Sequence, residues 1–196
     1  MKTLIILLLI STLAFFSIDQ FRPDIFHEMP KVGDVVDSLD NVYVYYNSDV
    51  GTVIGRNVKE GYNIGLKYQC VEFVKRYYFE HYNHRMPDSY GHAISFYNPT
   101  VEDGGLNSQR NLQQFTNPSG SEPKKGDLIV MDAMLFNAYG HVAIISSVND
   151  KEIEIIQQNP GPKAASRETF KLEKTEESNW FIENNKILGW LRITEK

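Results

Sequence analysis

The order of patterns along this 196-residue chain is that of an α+β protein. A helical stripe starts at Cys70 in a front half that reads as helix-rich. After Gly126 the chain breaks into short runs of strand-forming residues. With 42% apolar residues and 12% aromatic residues, the length suits one domain with a real core. The composition also excludes several functions. The 20 Lys+Arg against 25 Asp+Glu leave a net charge of −5, so no nucleic-acid partner is expected, because phosphate binding calls for a basic patch. A single Cys excludes an internal disulfide, a Cys-rich zinc site and an iron–sulfur cluster, and no metal or cofactor is expected.

At the N-terminus, Lys2 precedes the apolar run Thr3–Phe16, with no further charge until Asp19. This is the layout of a secretion signal, and it is shorter than the roughly 20 apolar residues of a comfortable membrane span. No small-x-small pair follows the run cleanly and no Cys is placed for lipid attachment. Residues 1–17 are therefore read as a signal peptide or an N-terminal signal anchor. The expectation is an exported protein: periplasmic, secreted or tethered to the membrane by that segment. Loss of Lys2 with it would shift the net charge to −6. Residues 18–33, with Pro23 and Pro30, read as a linker, and 34–196 as one domain without repeats.

Within that domain Asn41–Asn47 (NVYVYYN) has strand composition. Asp88–Pro123 is polar and weakly periodic, with a short helix expected near Gln109–Phe115. Strands are expected at Leu128–Met131, His141–Val148, Ile153–Gln158 and Ile187–Ile193. In the helix, Cys70, Phe73, Val74, Tyr77, Tyr78 and His81 recur at helical spacing as one apolar stripe. Glu72, Lys75, Arg76 and Glu80 fall on the other face. Cys70 thus sits in the first turn, facing the body of the protein. No Ser, Thr, Asp or Asn caps the helix immediately before it, so free backbone N–H groups and the helix dipole are expected to lower the thiol pKa. The plainer reading makes Cys70 a small core residue.

A nucleophilic thiol needs a histidine. His27 lies in the linker, His81 and His84 read as surface or packing residues, and His92 lies in a loop that could line a cleft. His141 follows Gly140 at the mouth of a strand, where a polar ring is exposed at the sheet's end. Joining His141–Val148 to the next strand through a three-residue loop pairs Ile145 with Ile155, Ala143 with Gln157 and His141 with Asn159. Gln157 and Asn159 then share His141's face, where an amide oxygen can orient the imidazole. Strand-end polarity ahead of Pro160-Gly161 is the alternative for both.

Five blocks, YQCVEFVKRYYF (68–79), GDLIVMD (126–132), GHVAII (140–145), EIIQQNPG (154–161) and ILGWLRI (187–193), resemble the CHAP family of cysteine amidohydrolases/peptidases. The likeness runs from about Gly33 to Ile193 and is greatest to amidase domains acting on glutathionylspermidine. It implies a papain-like fold of NlpC/P60 type, a Cys-bearing helix packed on an antiparallel sheet that carries His. Cys70 takes the family's nucleophile position and His141 that of general base and acid. The third member is often Glu; here Gln157 stands there, and Asn159 keeps the Asn found two residues later in some relatives. The oxyanion would be met by the Cys70 N–H with Tyr62 or Gln69 as a further donor. The expected function is an exported thiol amidohydrolase cleaving a C–N amide, with cell-wall (peptidoglycan) peptides as the partner substrate. The alternatives are a glutathionylspermidine-type amidase and a catalytically weakened binding module.

Overall fold

Two tight turns organise the first part of the domain. Asp40 and Asn41, with φ of 47° and 66°, join β1 (Val35–Leu39) to β2 (Val42–Tyr45). Glu60 and Gly61, with φ of 49° and 75°, join β3 (Arg56–Lys59) to β4 (Tyr62–Leu66). Two consecutive positive-φ residues give a turn whose twist matches that of the strands it connects. The computed structural model describes residues 29–134, 137–161 and 164–194. The expected signal segment, 1–17, lies outside them, as does most of the expected linker.

Residues 31–196 form one unit. After the two hairpins come helix α1 (Cys70–Tyr82), a 3-10 turn (Ala93–Phe96), β5 (Gly105–Asn107) and β6 (Leu112–Thr116). Then follow β7 (Leu128–Met131), β8 (His141–Val148), β9 (Glu152–Ile156), β10 (Arg167–Lys174), β11 (Trp180–Ile182) and β12 (Ile187–Arg192). The last eight strands make one sheet in the order β11-β10-β9-β8-β7-β12-β6-β5, antiparallel throughout. Ser119 and Trp180 exchange two backbone hydrogen bonds of 3.0 and 2.7 Å. Edge strand β11 thereby meets the chain leaving β6, and the sheet curls back on itself.

That curl explains why the central strands are apolar on both faces. Leu128 and Val130 of β7, with Val142 and Ile144 of β8, pack against Phe73, Val74, Tyr77 and Tyr78 of α1. The alternate residues Ile129, Met131, Ala143 and Ile145 turn to a second core with Ile155, Phe170 and Trp190 inside the curl. A strand covered on both sides reads as a continuous apolar run.

The Cys-bearing helix and the antiparallel sheet are as expected. The balance is different: the described residues are strand-rich, and those of the front half hold two hairpins and one α-helix rather than several helices. The helix expected near Gln109–Phe115 is strand β6. Its period of two is carried by Leu112 and by Gln114, a fully buried amide that accepts from the Asn98 N–H and the Asn107 side chain. A polar residue at a core position hides the alternation.

The polar face assigned to α1 is corrected too. Glu72, Lys75 and Arg76 are 2%, 1% and 4% exposed, so the helix is enclosed on both sides, and only Glu80 and His81 near its end are open. The β1–β2 and β3–β4 hairpins cover the side that the sequence pattern leaves to solvent.

Candidate active site

Cys70 is the first residue of α1. Its predecessor Gln69 is extended (φ −87°, ψ 159°) and makes no side-chain cap. The helix start is therefore open, as its sequence suggests. Cys70 as a residue is partly exposed. The N–H groups of Val142, Val71 and Cys70 itself favour the thiolate, but burial outweighs them and pushes the thiol up to about 11. The expected lowering at a helix start is thus corrected: Cys70 rests as a neutral thiol.

His141 opens β8 immediately after Gly140, whose φ is 72°. A Cβ at Gly140 would lie 2.5 Å from the Met131 carbonyl oxygen, which belongs to the neighbouring strand and cannot move aside. The glycine lets β8 start tight against β7, with His141 beside Met131. The imidazole is 5% exposed. Its Nε2 lies 3.0 Å from Gln157 Oε1, and the Gln157 Nε2 donates to the Ala165 carbonyl at 3.1 Å. That second bond fixes which end of the amide faces the ring. An amide oxygen can only accept, so Nε2 carries the proton and Nδ1 is left as the basic nitrogen. Burial pulls His141 down to about 4, and the bond to Gln157 works against it.

The β8–β9 hairpin reaches its register by a different route from the one expected. Val148 pairs with Ile153 and Ser147 with Glu154; an irregularity at Ser146 then shifts the ladder, so that Ile145 pairs with Ile155 and Ile144 with Ile156. The Ile145–Ile155 pairing is the expected one, but it follows from a tight turn plus a bulge rather than from a three-residue loop. The bulge is held by Ser146 Oγ, which donates to the Glu154 carbonyl at 3.0 Å.

Cys70, His141, Gln69 and Asn159 line one cavity of about 620 Å³. Gln157 stands behind His141 and outside that lining. Asn159 does not reach the imidazole in this arrangement; its Nδ2 donates to Gln69 Oε1 at 2.8 Å. Gln69 Nε2 in turn donates to the carbonyls of Val50 (3.2 Å) and Thr52 (2.8 Å). Gln69 and Asn159 thus tie the helix start to the loop before β3 and to the chain after β9. Tyr62 is a correction: it is not among the lining residues. Its ring stacks on Phe79 and its hydroxyl accepts the Met86 N–H at 3.0 Å, so it serves the packing of β4 on α1. His92, in contrast, does line the cavity and stacks on Tyr139 at 4.4 Å between ring centroids.

Sequence reading missed Gln158, which is fully buried. Its Oε1 accepts the Tyr45 N–H at 2.8 Å. Its Nε2 donates to the Gln69 carbonyl and to Glu72 Oε2, both at 3.0 Å. Glu72 also accepts from Arg76 Nε (2.7 Å) and Asn57 Nδ2 (2.8 Å). This network fixes the first turn of α1 to the chain after β9 and to β2. The available signal was the run Gln157-Gln158-Asn159, three amides in a row at the end of an apolar strand, where alternation sends the middle one toward the helix. Among the described residues no cluster of His, Cys, Asp and Glu could hold a metal ion. No helix among them is long and apolar enough to cross a membrane.

The CHAP domain family matches residues 60–159, a span from β4 through Cys70 and His141 to Asn159. The chain belongs to the CHAP domain family. That family is one of cysteine amidases and peptidases. It is 33% identical over 147 residues to the bifunctional glutathionylspermidine synthetase/amidase of Escherichia coli (strain K12), an alignment covering 67% of this chain and 23% of that protein. The Shigella flexneri protein of the same name gives the same figures. Trypanothione synthetase of Crithidia fasciculata is 29% identical over 104 residues, covering 53% of this chain and 16% of that one. The chain thus spans less than a quarter of the length of these relatives.

Proposed function

We propose that this CHAP domain hydrolyses its amide through a thioester on Cys70. The observation that carries the reading is that Cys70, at an open helix start, and His141, whose Nε2 proton is held by Gln157, line one cavity. As Cys70 Sγ attacks the amide carbon, its proton passes to His141 Nδ1, and the Cys70 N–H receives the developing oxyanion. His141 then gives that proton to the departing amine. In the second half a water attacks the thioester, His141 takes its proton, and Cys70 leaves as the thiol it was. Because both groups rest neutral, the imidazole acts as a general base during attack rather than as half of a preformed ion pair.

The fold in this reading is papain-like, of the NlpC/P60 type, with Gln157 in the orienting position. The substrate proposed is the peptide part of peptidoglycan, reached by export on residues 1–17. A second reading, amide cleavage in a glutathione–polyamine conjugate, is favoured by the likeness to proteins named for glutathionylspermidine. A binding module without turnover is the third, and intact Cys70 and His141 argue against it.

The test is to incubate the chain with purified peptidoglycan and, separately, with glutathionylspermidine, following new amino groups. Release of amines from the first alone supports the cell-wall reading, and from the second alone the polyamine reading. Release from neither would leave the binding module. Cys70→Ala should abolish either activity.

A further inference from the structure

Carboxylates outnumber cations over the chain, yet the cavity holding Cys70 and His141 is lined by Arg56 and, among the described residues, by no Asp or Glu. Arg56 is exposed at the start of β3. Its Nη1 donates to Asn63 Oδ1 at 2.8 Å, and its guanidinium lies 5.6 Å from the Tyr90 ring centroid. Among the described residues it has no carboxylate partner.

The wall behind it is cationic as well. Lys75, 1% exposed, donates to the carbonyls of Asn63 and Ser89. Arg110, equally buried, donates to the carbonyls of Asp88 (2.5 Å), Tyr90 (3.3 Å) and Ser95 (3.1 Å). Asn63 joins the set, accepting from Arg56 and donating to the Ser89 carbonyl at 2.7 Å. Burial does most to disfavour the charge on Lys75; Arg110 and Arg56 add to it, and Asp88 acts in the opposite sense. Asp88 itself accepts the Tyr90 N–H. The Ser89–Tyr90 side of the cavity therefore rests on two buried cations, and Arg56 presents a third at the surface.

We infer that Arg56 sets substrate choice by holding a free carboxylate of the amide substrate, an inference that rests on the hydrolytic reading above. A guanidinium with unspent N–H donors grips a carboxylate in a two-bonded fork. A cationic amine in the same place would meet like charges and no acid. A γ-linked glutamyl residue with its α-carboxylate free supplies this chemistry, whether it comes from a cell-wall stem peptide or from glutathione.

The experiment measures binding by calorimetry on the Cys70→Ala chain, which holds substrate without turning it over. The probes are the tetrapeptide L-Ala-γ-D-Glu-L-Lys-D-Ala, the same peptide with the glutamyl α-carboxylate converted to a carboxamide, and glutathione with its likewise amidated form. The carboxylate form of at least one pair should bind about 10- to 100-fold more tightly than its carboxamide, the range of a charge-assisted hydrogen bond. The pair that shows it names the source. Adding Arg56→Gln should erase that preference, and Arg56→Lys should restore part of it. Equal weakening of both members of a pair by Arg56→Gln, or no preference in either pair, would overturn the inference. Hydrolysis by the Cys70-bearing chain is assayed apart: its absence beside an intact, Arg56-dependent preference would overturn the catalytic reading and leave Arg56 as a carboxylate-binding residue.

Discussion

At His141 a neutral amide, Gln157, occupies the place from which a carboxylate would stabilise an imidazolium. The amide orients the ring as well as a carboxylate would, because it accepts the same Nε2 proton. It gives no compensating charge, so burial alone dominates and the histidine rests neutral opposite a neutral thiol. Alkylation of Cys70 by iodoacetamide should therefore be slow at neutral pH and climb as pH approaches about 11. Gln157→Glu places a negative charge beside the ring, which raises the His141 pKa and favours the thiolate–imidazolium pair. Its alkylation profile should gain a fast plateau near neutral pH. Asn159→Ala is the control, since Asn159 bonds Gln69 and not the imidazole. An unchanged profile in Gln157→Glu with a disrupted one in Asn159→Ala would transfer the orienting role to Asn159.

At the scale of elements, α1 depends on polar groups that its own sequence pattern does not reveal. The Glu72 carboxylate accepts from Arg76, Asn57 and Gln158, and all of these except Asn57 are almost fully buried. Glu72→Ala strands the Arg76 guanidinium without its counter-charge, and breaking a buried pair in this way costs about 3–5 kcal/mol. Chemical denaturation should show a loss of that order; a loss under about 1 kcal/mol would mean that the Tyr45 ring, 4.9 Å from Arg76, suffices as its partner. The start of α1 and strands β7 and β8 were legible in the sequence because apolar periodicity decides them. Cys70 and His141 were legible because each stands at the boundary of such an element. What escaped was governed by polar burial: Gln114 hid strand β6, and Glu72, Lys75 and Arg76 read only as the face opposite the apolar stripe, with no sign that it is buried. The Asp40-Asn41 turn and Gly61 did carry a local signal, since Asp, Asn and Gly tolerate positive φ. Arg56 had none, because what distinguishes it is the company of Lys75 and Arg110, far along the chain.

For the whole molecule, the buried histidine couples folding to pH. In the unfolded chain His141 titrates near 6.5, and in the fold near 4. Between those values the unfolded state binds more protons, so the contribution is fully present above pH about 6.5 and is lost as pH falls toward 4. A shift of that size corresponds to about 3 kcal/mol. Asp37, Asp40 and Glu154 are held below their ordinary values, so their losses set in mainly where the His141 window ends, while burial raises Asp127. Thermal unfolding followed from pH 7 to 4 should show the first limb in the native chain and not in His141→Asn. A limb that persists in the variant would assign it to other groups. The proposed chemistry itself is tested most directly by acid-quenching the chain during turnover of an amide it cleaves and weighing the intact protein. A mass increase equal to the acyl fragment, mapped to the peptide containing Cys70 and absent in Cys70→Ala, is the result expected. Continued turnover by Cys70→Ala, or turnover with no adduct under conditions where deacylation is slowed, would contradict the account.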